Sequence, residues 1–240
     1  MYINSELPTK SFRVINEEGK KLVLIVGYDH KTGEKNENIN EFDELEKIAK
    51  SIYPDCKVQY KWCTEDCISL DKIPYIGEFS RFMPDVYIAT GFKKWGITTS
   101  NIAASIITDS ILEKENEFKS IFKATRVEPV KNIKEVENML KDVTKSLVIE
   151  KLKIPKDKIS SINKEDAKLI EIGGKKVGVY KDKDGKLYGI NPICSHLGCE
   201  VQFNKNDKTW DCPCHGSRFD INGKSLYSPS IKDLEKIELE

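Results

Sequence analysis

The sequence lacks any apolar run long enough to cross a bilayer; its most apolar stretch, Leu22 to Gly27, is far too short. No membrane anchor is therefore expected. The N-terminus, Met-Tyr-Ile-Asn-Ser-Glu, has neither a basic region nor an apolar core, so no secretory signal is expected and the expected location is cytoplasmic. Neither sign of charge is in excess, since 39 Lys and Arg meet 39 Asp and Glu. That balance implies no polyanion, and no nucleic-acid partner is expected. No G-x-G occurs anywhere, which excludes the glycine loop that holds a dinucleotide pyrophosphate at a helix N-terminus. Histidine is scarce, with three in 240 residues.

Two of those three histidines and four of the seven cysteines lie between residues 194 and 219. Written as ligands, the stretch is C-x-H, fifteen residues, then C-x-x-H. Each half offers one thiolate and one imidazole from a single tight loop, so two such loops can close over a metal centre from opposite sides. The pattern resembles the Rieske [2Fe–2S] motif, in which two Cys hold one iron and two His hold the other. The resemblance makes Cys194, His196, Cys212 and His215 the ligands and pairs Cys199 with Cys214 in a disulfide joining the loops. It also implies turning glycines at Gly198 and Gly216, a sulfide-bonding hydroxyl at Ser217, an apolar shield at Leu197 and a covering loop at Pro229. Where high-potential members have Tyr, this chain has Phe219, which has no hydroxyl to donate to a cluster sulfur. A potential low in the Rieske span of roughly −150 to +300 mV is expected. The alternative for this stretch is a structural zinc site. Zinc sites usually group like ligands, whereas each loop here mixes one Cys with one His.

The absences prune the Rieske group. Respiratory members carry a membrane anchor, and Rieske oxygenases need a second iron held by two His and a carboxylate. With His196 and His215 committed, only His30 remains, so no facial triad can be built from these residues.

Upstream, residues 11–15 and 22–27 flank Asn16-Glu17-Glu18-Gly19 and predict a hairpin. Phe42, Leu45, Ile48, Ala49 and Ile52 recur at helical spacing behind an N-cap at Asn40. Residues 56–62 suggest a strand, 70–77 a turn-rich segment, and 86–90 a short apolar strand. A helix is expected to begin near Ser100, burying Ile102, Ala103, Ile106, Ile107 and Ile111. This order, with its Asp71-x-x-Pro74-x-Ile76-Gly77 segment, resembles the C-terminal half of a glycine/D-amino-acid-oxidase (DAO) type FAD-dependent oxidoreductase. That resemblance implies flavin-facing positions at Lys94, Trp95, Gly96, Ile97 and Thr98. Without G-x-G, the chain is expected to begin partway through the flavoprotein fold and to need a complementing FAD-binding half.

Ile133, Val136, Met139, Leu140, Val143 and Leu147 predict a connector helix capped by Asn132 with Glu135. Beyond it the pattern is all-β, with hairpins at Gly173-Gly174 and at Asn204 to Asp207. Cys56, Cys63 and Cys67 are expected as free thiols, and His30 as a surface histidine. The fold class is α+β: a partial flavoenzyme half over 1–115, a helical connector over 116–155, and a small all-β Rieske sandwich over 156–240. The expected function is electron transfer by a [2Fe–2S] cluster within a flavin-dependent oxidoreductase acting on an amine or amino-acid-like substrate. The chain is not expected to be active alone. The alternative is a non-catalytic electron carrier with a docking domain, serving a redox partner protein.

Overall fold

The computed structural model describes residues 1–5, 9–33, 40–126, 141, 144, 147, 153–155 and 157–239. The chain divides into two compact units that do not follow chain order. One joins Met1–Cys63 to Asp142–Glu240, and the other is Thr64–Lys141.

In the first unit, β1 (Tyr2–Ile3), β2 (Lys10–Glu17) and β3 (Lys20–Gly27) form an antiparallel sheet. Glu18 and Gly19 make its two-residue turn with φ of 48° and 80°. Both central residues are thus left-handed, the twist that tight hairpins favour. The helix α1 (Glu41–Ile52) starts where Asn40 Oδ1 accepts from the amides of Phe42 and Asp43, at 3.1 and 3.3 Å. Acidic residues in its first turn and Lys50 in its last complement the helix dipole.

The C-terminal part of this unit holds two four-stranded antiparallel sheets. One contains β6 (Asp166–Ile172), β7 (Lys175–Lys181), β8 (Leu187–Ile190) and β13 (Lys236–Ile237), in the order β13-β8-β7-β6. The other contains β9 (Gln202–Asn204), β10 (Thr209–Asp211), β11 (Arg218–Phe219) and β12 (Ser225–Tyr227), in the order β12-β11-β10-β9. Tyr180 and Ile190 from the first sheet share a buried cluster with Phe203, Trp210 and Phe219 from the second. Burial of these aromatic side chains, each worth roughly 2–3 kcal/mol, holds the sandwich closed. The Gly173-Gly174 turn carries φ of 57° and 76°, so this hairpin forms where the sequence places it.

In the second unit, β4 (Tyr75–Ser80) pairs antiparallel with β5 (Met83–Thr90). The helix α2 (Gly96–Ile111) and the short α3 (Lys119–Phe122) complete it, around Ile76, Ala103 and Ile106. Arg126 ties the Asp71–Gly77 segment together. Its guanidinium makes two bonds to Asp71, at 2.7 and 2.8 Å, donates to the carbonyls of Ile73 and Pro74, and lies over the Tyr75 ring.

Three local expectations are corrected. Residues 56–62 form no strand; Val58, Tyr60 and Trp62 stay exposed, and the alternating pattern finds neither a burying surface nor a ladder partner among the described residues. The turn-rich segment at 70–77 runs into β4, because Ile76 is fully buried and its strand pairs with β5. The second-unit helix begins at Gly96, not Ser100, its first turn closed by Thr99 N–H donating to Trp95 C=O at 2.8 Å. The expected connector helix, with Asn132 and Glu135, falls outside the described residues except at positions 141, 144 and 147.

Candidate metal centre

Two loops of one design emerge from the sandwich. In the first, Cys194 N–H donates to Cys199 C=O at 2.8 Å, and Gly198 N–H donates to Cys194 C=O at 2.9 Å. In the second, Cys212 N–H donates to Ser217 C=O at 2.8 Å, and Gly216 N–H to Cys212 C=O at 3.0 Å. Gly198 and Gly216 take φ of 79° and 78°, a left-handed conformation that glycine adopts without cost. Each loop therefore reverses sharply just after its Cys-and-His pair.

The donor atoms divide by depth. Cys194 and Cys212 are buried with free thiols, whereas His196 and His215 are exposed. The two thiols hydrogen-bond each other. That bond from Cys212 brings the first thiol, Cys194, down to about 6, and it pushes Cys212 up, so the first proton leaves readily and the second reluctantly. The two imidazoles meet edge to face with centroids 5.0 Å apart. Partial desolvation on its inner side first, and then His196, holds the otherwise exposed His215 ring below the usual histidine range, favouring the neutral ring that ligates metals. Cys199 and Cys214 are bonded at 2.07 Å, and their sulfurs and that of Cys212 lie within 4.8 Å of one another. The disulfide thus stands directly beside a candidate ligand and takes two of these three sulfurs out of ligation.

The surrounding residues fall as follows. Ser217 and Phe219 are fully buried, and Leu197 is 61% exposed at the tip of the first loop. Pro229 is exposed and follows a cis peptide bond. Ser230, the last residue of the expected Tyr227-Ser228-Pro229-Ser230 covering loop, joins the parts through bonds that the sequence does not show. Its amide donates to Ser217 Oγ at 2.9 Å, and its hydroxyl shares a hydrogen bond with Ser195 Oγ. The Pro229 loop is thereby fastened to both cluster loops.

Sequence reasoning also missed a buried ion pair at the base of each loop. Glu200, 2% exposed, follows Cys199 and accepts from Lys176 Nζ at 2.6 Å. Asp211 and Arg218 face each other across the base of the second loop, with Nε to Oδ1 at 3.0 Å. Arg218 also reaches Thr209 Oγ1 at 3.0 Å and the carboxylate of Asp207. A carboxylate next to a cysteine, Glu200 after Cys199 and Asp211 before Cys212, was the available signal, but the sequence does not show which cation meets each.

The remaining candidates lie elsewhere. Lys94, Trp95, Gly96, Ile97 and Thr98 sit together at the N-terminus of α2, with Trp95 and Ile97 exposed. Cys56, Cys63 and Cys67 are free. Burial, then Asp207, pushes the Cys63 thiol up to about 12, so it stays protonated and unreactive. His30 lies 3.6 Å from a Glu41 carboxylate oxygen.

The residues fit a two-iron centre. Two free thiols buried against each other and two exposed imidazoles, one of each per loop, match a cluster in which one iron takes thiolates and the outer one imidazoles. Residues 153–238 match the family model described as Rieske [2Fe-2S] domain, and residues 3–110 the one described as FAD dependent oxidoreductase (DAO). A Bacillus subtilis (strain 168) protein named as a candidate Rieske 2Fe-2S iron-sulfur protein, YhfW, is 37% identical over 240 residues, which is 100% of this chain and 47% of that one. The cytochrome b6-f complex iron-sulfur subunit of Synechococcus sp. (strain JA-3-3Ab) is 44% identical over 50 residues, 21% of this chain and 29% of that one. Among solved structures, the plasma membrane Rieske protein PetC3 from Synechocystis PCC 6803 is 34% identical. That alignment covers 29% of this chain and 72% of that one, with a TM-score of 0.28. The chain thus spans about half the length of its Bacillus relative, 47%, and less of the cytochrome subunit.

Proposed function

We propose that this chain, a Rieske [2Fe–2S] domain following a DAO-type, FAD-dependent oxidoreductase domain, is the cluster-bearing part of an enzyme that oxidises an amine or amino-acid-like substrate. The paired loops carry the proposal, with buried Cys194 and Cys212 as ligands of one iron and exposed His196 and His215 as ligands of the other. The cluster, when bound, accepts a single electron, and a flavin releases its two electrons one at a time. The chain's own residues exclude water from the thiolate side and leave the imidazole side open to a redox partner. Ser217 offers its hydroxyl toward the same side as the thiolates, while the Cys199–Cys214 bond keeps the loops together.

On the same reading, residues 1–115 are the C-terminal half of the flavoprotein fold, 116–155 a connector, and 156–240 the Rieske domain. Lys94 to Thr98, at the N-terminus of α2, would face the flavin, where the positive end of the helix dipole favours a reduced, anionic ring. FAD would require a complementing half that supplies the pyrophosphate loop. The proposed setting is the cytoplasm, with electrons passing to a redox partner protein.

Anaerobic purification followed by absorption and EPR spectroscopy after dithionite reduction tests the cluster. A mixed-ligand two-iron signal with two irons per chain is expected, and a colourless protein containing zinc would overturn it. Substrate-dependent reduction of the cluster in the presence of an FAD-binding half distinguishes an enzyme from an electron carrier with a docking domain.

A further inference from the structure

The second cluster loop leans on a segment far away in sequence. Gly33 stands so close to Pro213, the residue between Cys212 and Cys214, that a Cβ added there would lie 2.6 Å from Pro213 N. The same Cβ would lie 2.7 Å from the Cα and Cβ of Pro213. Real side chains do not tolerate such distances, and the obstacle is backbone, which cannot swing aside. Gly33 also takes φ of 76°. A glycine is needed here twice over, once for the turn and once for the contact.

Two further ties hold the same surfaces together. Asn206, in the turn between β9 and β10, donates to Glu41 Oε2 at 3.0 Å, and Glu41 opens α1 just beyond this loop. The Cys63 thiol hydrogen-bonds the Asp207 carboxylate, which in turn holds Arg218 at the base of the second loop. All of these residues belong to one compact unit. The family match over 3–110 thus contains the residues that bear on the metal loop of the other match.

From these contacts we infer that the loop 29–33 is a positioning element for the metal centre. Gly33 abuts Pro213 and fixes the loop that carries Cys212 and His215, so the cluster's potential depends on the seating of the N-terminal segment. The inference rests on residues 194–217 being a [2Fe–2S] site. It goes beyond that site by making one loop answerable to the chain's own oxidoreductase segment while the imidazole tips stay open.

The experiment is a redox titration of the full chain, followed by EPR, on Gly33→Ala with Gly19→Ala as its control. Gly19 has nearly the same left-handed φ, 80°, but nothing within 4 Å of an added Cβ. The pair therefore separates contact from backbone strain. Gly33→Ala is expected to change the reduction equilibrium at least threefold, about 28 mV at ~59 mV per tenfold for one electron, with altered g-values. Gly19→Ala is expected to match the unsubstituted chain. Should Gly33→Ala fail to fold, Glu41→Ala removes the Asn206 bond without backbone strain and is expected to shift the potential in its place. A cluster whose potential and g-values are the same in the unsubstituted chain, Gly33→Ala and Glu41→Ala overturns the inference alone. An unsubstituted chain that holds no two-iron cluster overturns the site and the inference together.

Discussion

Phe219 is fully buried two residues beyond Ser217, on the strand that leaves the second loop. Its ring packs but donates nothing. A tyrosine there would add a hydroxyl able to donate to a cluster sulfur, and such donors stabilise the reduced, more negative state. Phe219→Tyr is therefore expected to raise the midpoint potential, by about 59 mV if the reduction equilibrium moves tenfold. Redox titration of both proteins checks this, and an unchanged value would remove the hydroxyl from the account. The residues of this site differ in how far they can be read from sequence. Cys194, His196, Cys212 and His215 are legible because each loop carries its own pair within three positions. The bonds of Ser230 are not legible, since they reach Ser217 and Ser195 across 13 and 35 positions.

Among the elements, the hairpin that delivers the second loop depends most on one side chain. Arg218 is 7% exposed and bonds Asp211, Thr209 and Asp207 around the loop base. Arg218→Met would leave two carboxylates without their cation, a loss of about 3–5 kcal/mol, measured as a lower urea midpoint. Arg218→Lys should recover only part of it, because an ammonium cannot reproduce the planar fork. Unfolding identical to the unsubstituted chain would show that this cluster of charges does not hold the loop. In the second unit, Arg126 does similar work on the Asp71–Gly77 segment. Its two hydrogen bonds hold the Asp71 carboxyl down to about 2, against partial desolvation. Because the folded value lies below the unfolded one of about 4, the stabilisation is fully present above pH ~4 and fades as pH falls through 2. With the carboxylate a third exposed, about 1–2 kcal/mol is at stake. Acid titration of stability should show this loss, and Asp71→Asn should abolish it. The Asp-x-x-Pro-x-Ile-Gly segment was recognised in sequence, but its strand was not. Ile76 becomes strand only because β5 pairs with it and α2 covers it, which no local pattern encodes.

At the scale of the whole molecule, local patterns do not show which stretches pack together. Met1–Cys63 joins the C-terminal part through Gly33, Glu41 and Cys63. The residues that make those ties look in sequence like an ordinary turn, a helix start and a stray thiol. The same scale decides the flavin. FAD binding in the proposed fold divides between a helix N-terminus beside the ring, which α2 can supply, and a glycine loop for the pyrophosphate, for which the sequence has no G-x-G. The pyrophosphate carries the charge that a helix N-terminus and backbone amides would neutralise, so losing that loop removes most of the polar recognition. The purified 240-residue chain is therefore expected to carry iron and acid-labile sulfide but well below one flavin per chain. Iron, sulfide and flavin analysis of a single preparation measures all three together. Stoichiometric flavin alongside the cluster would mean that residues 1–115 hold the cofactor by the ring side alone, and the requirement for a complementing half would fall.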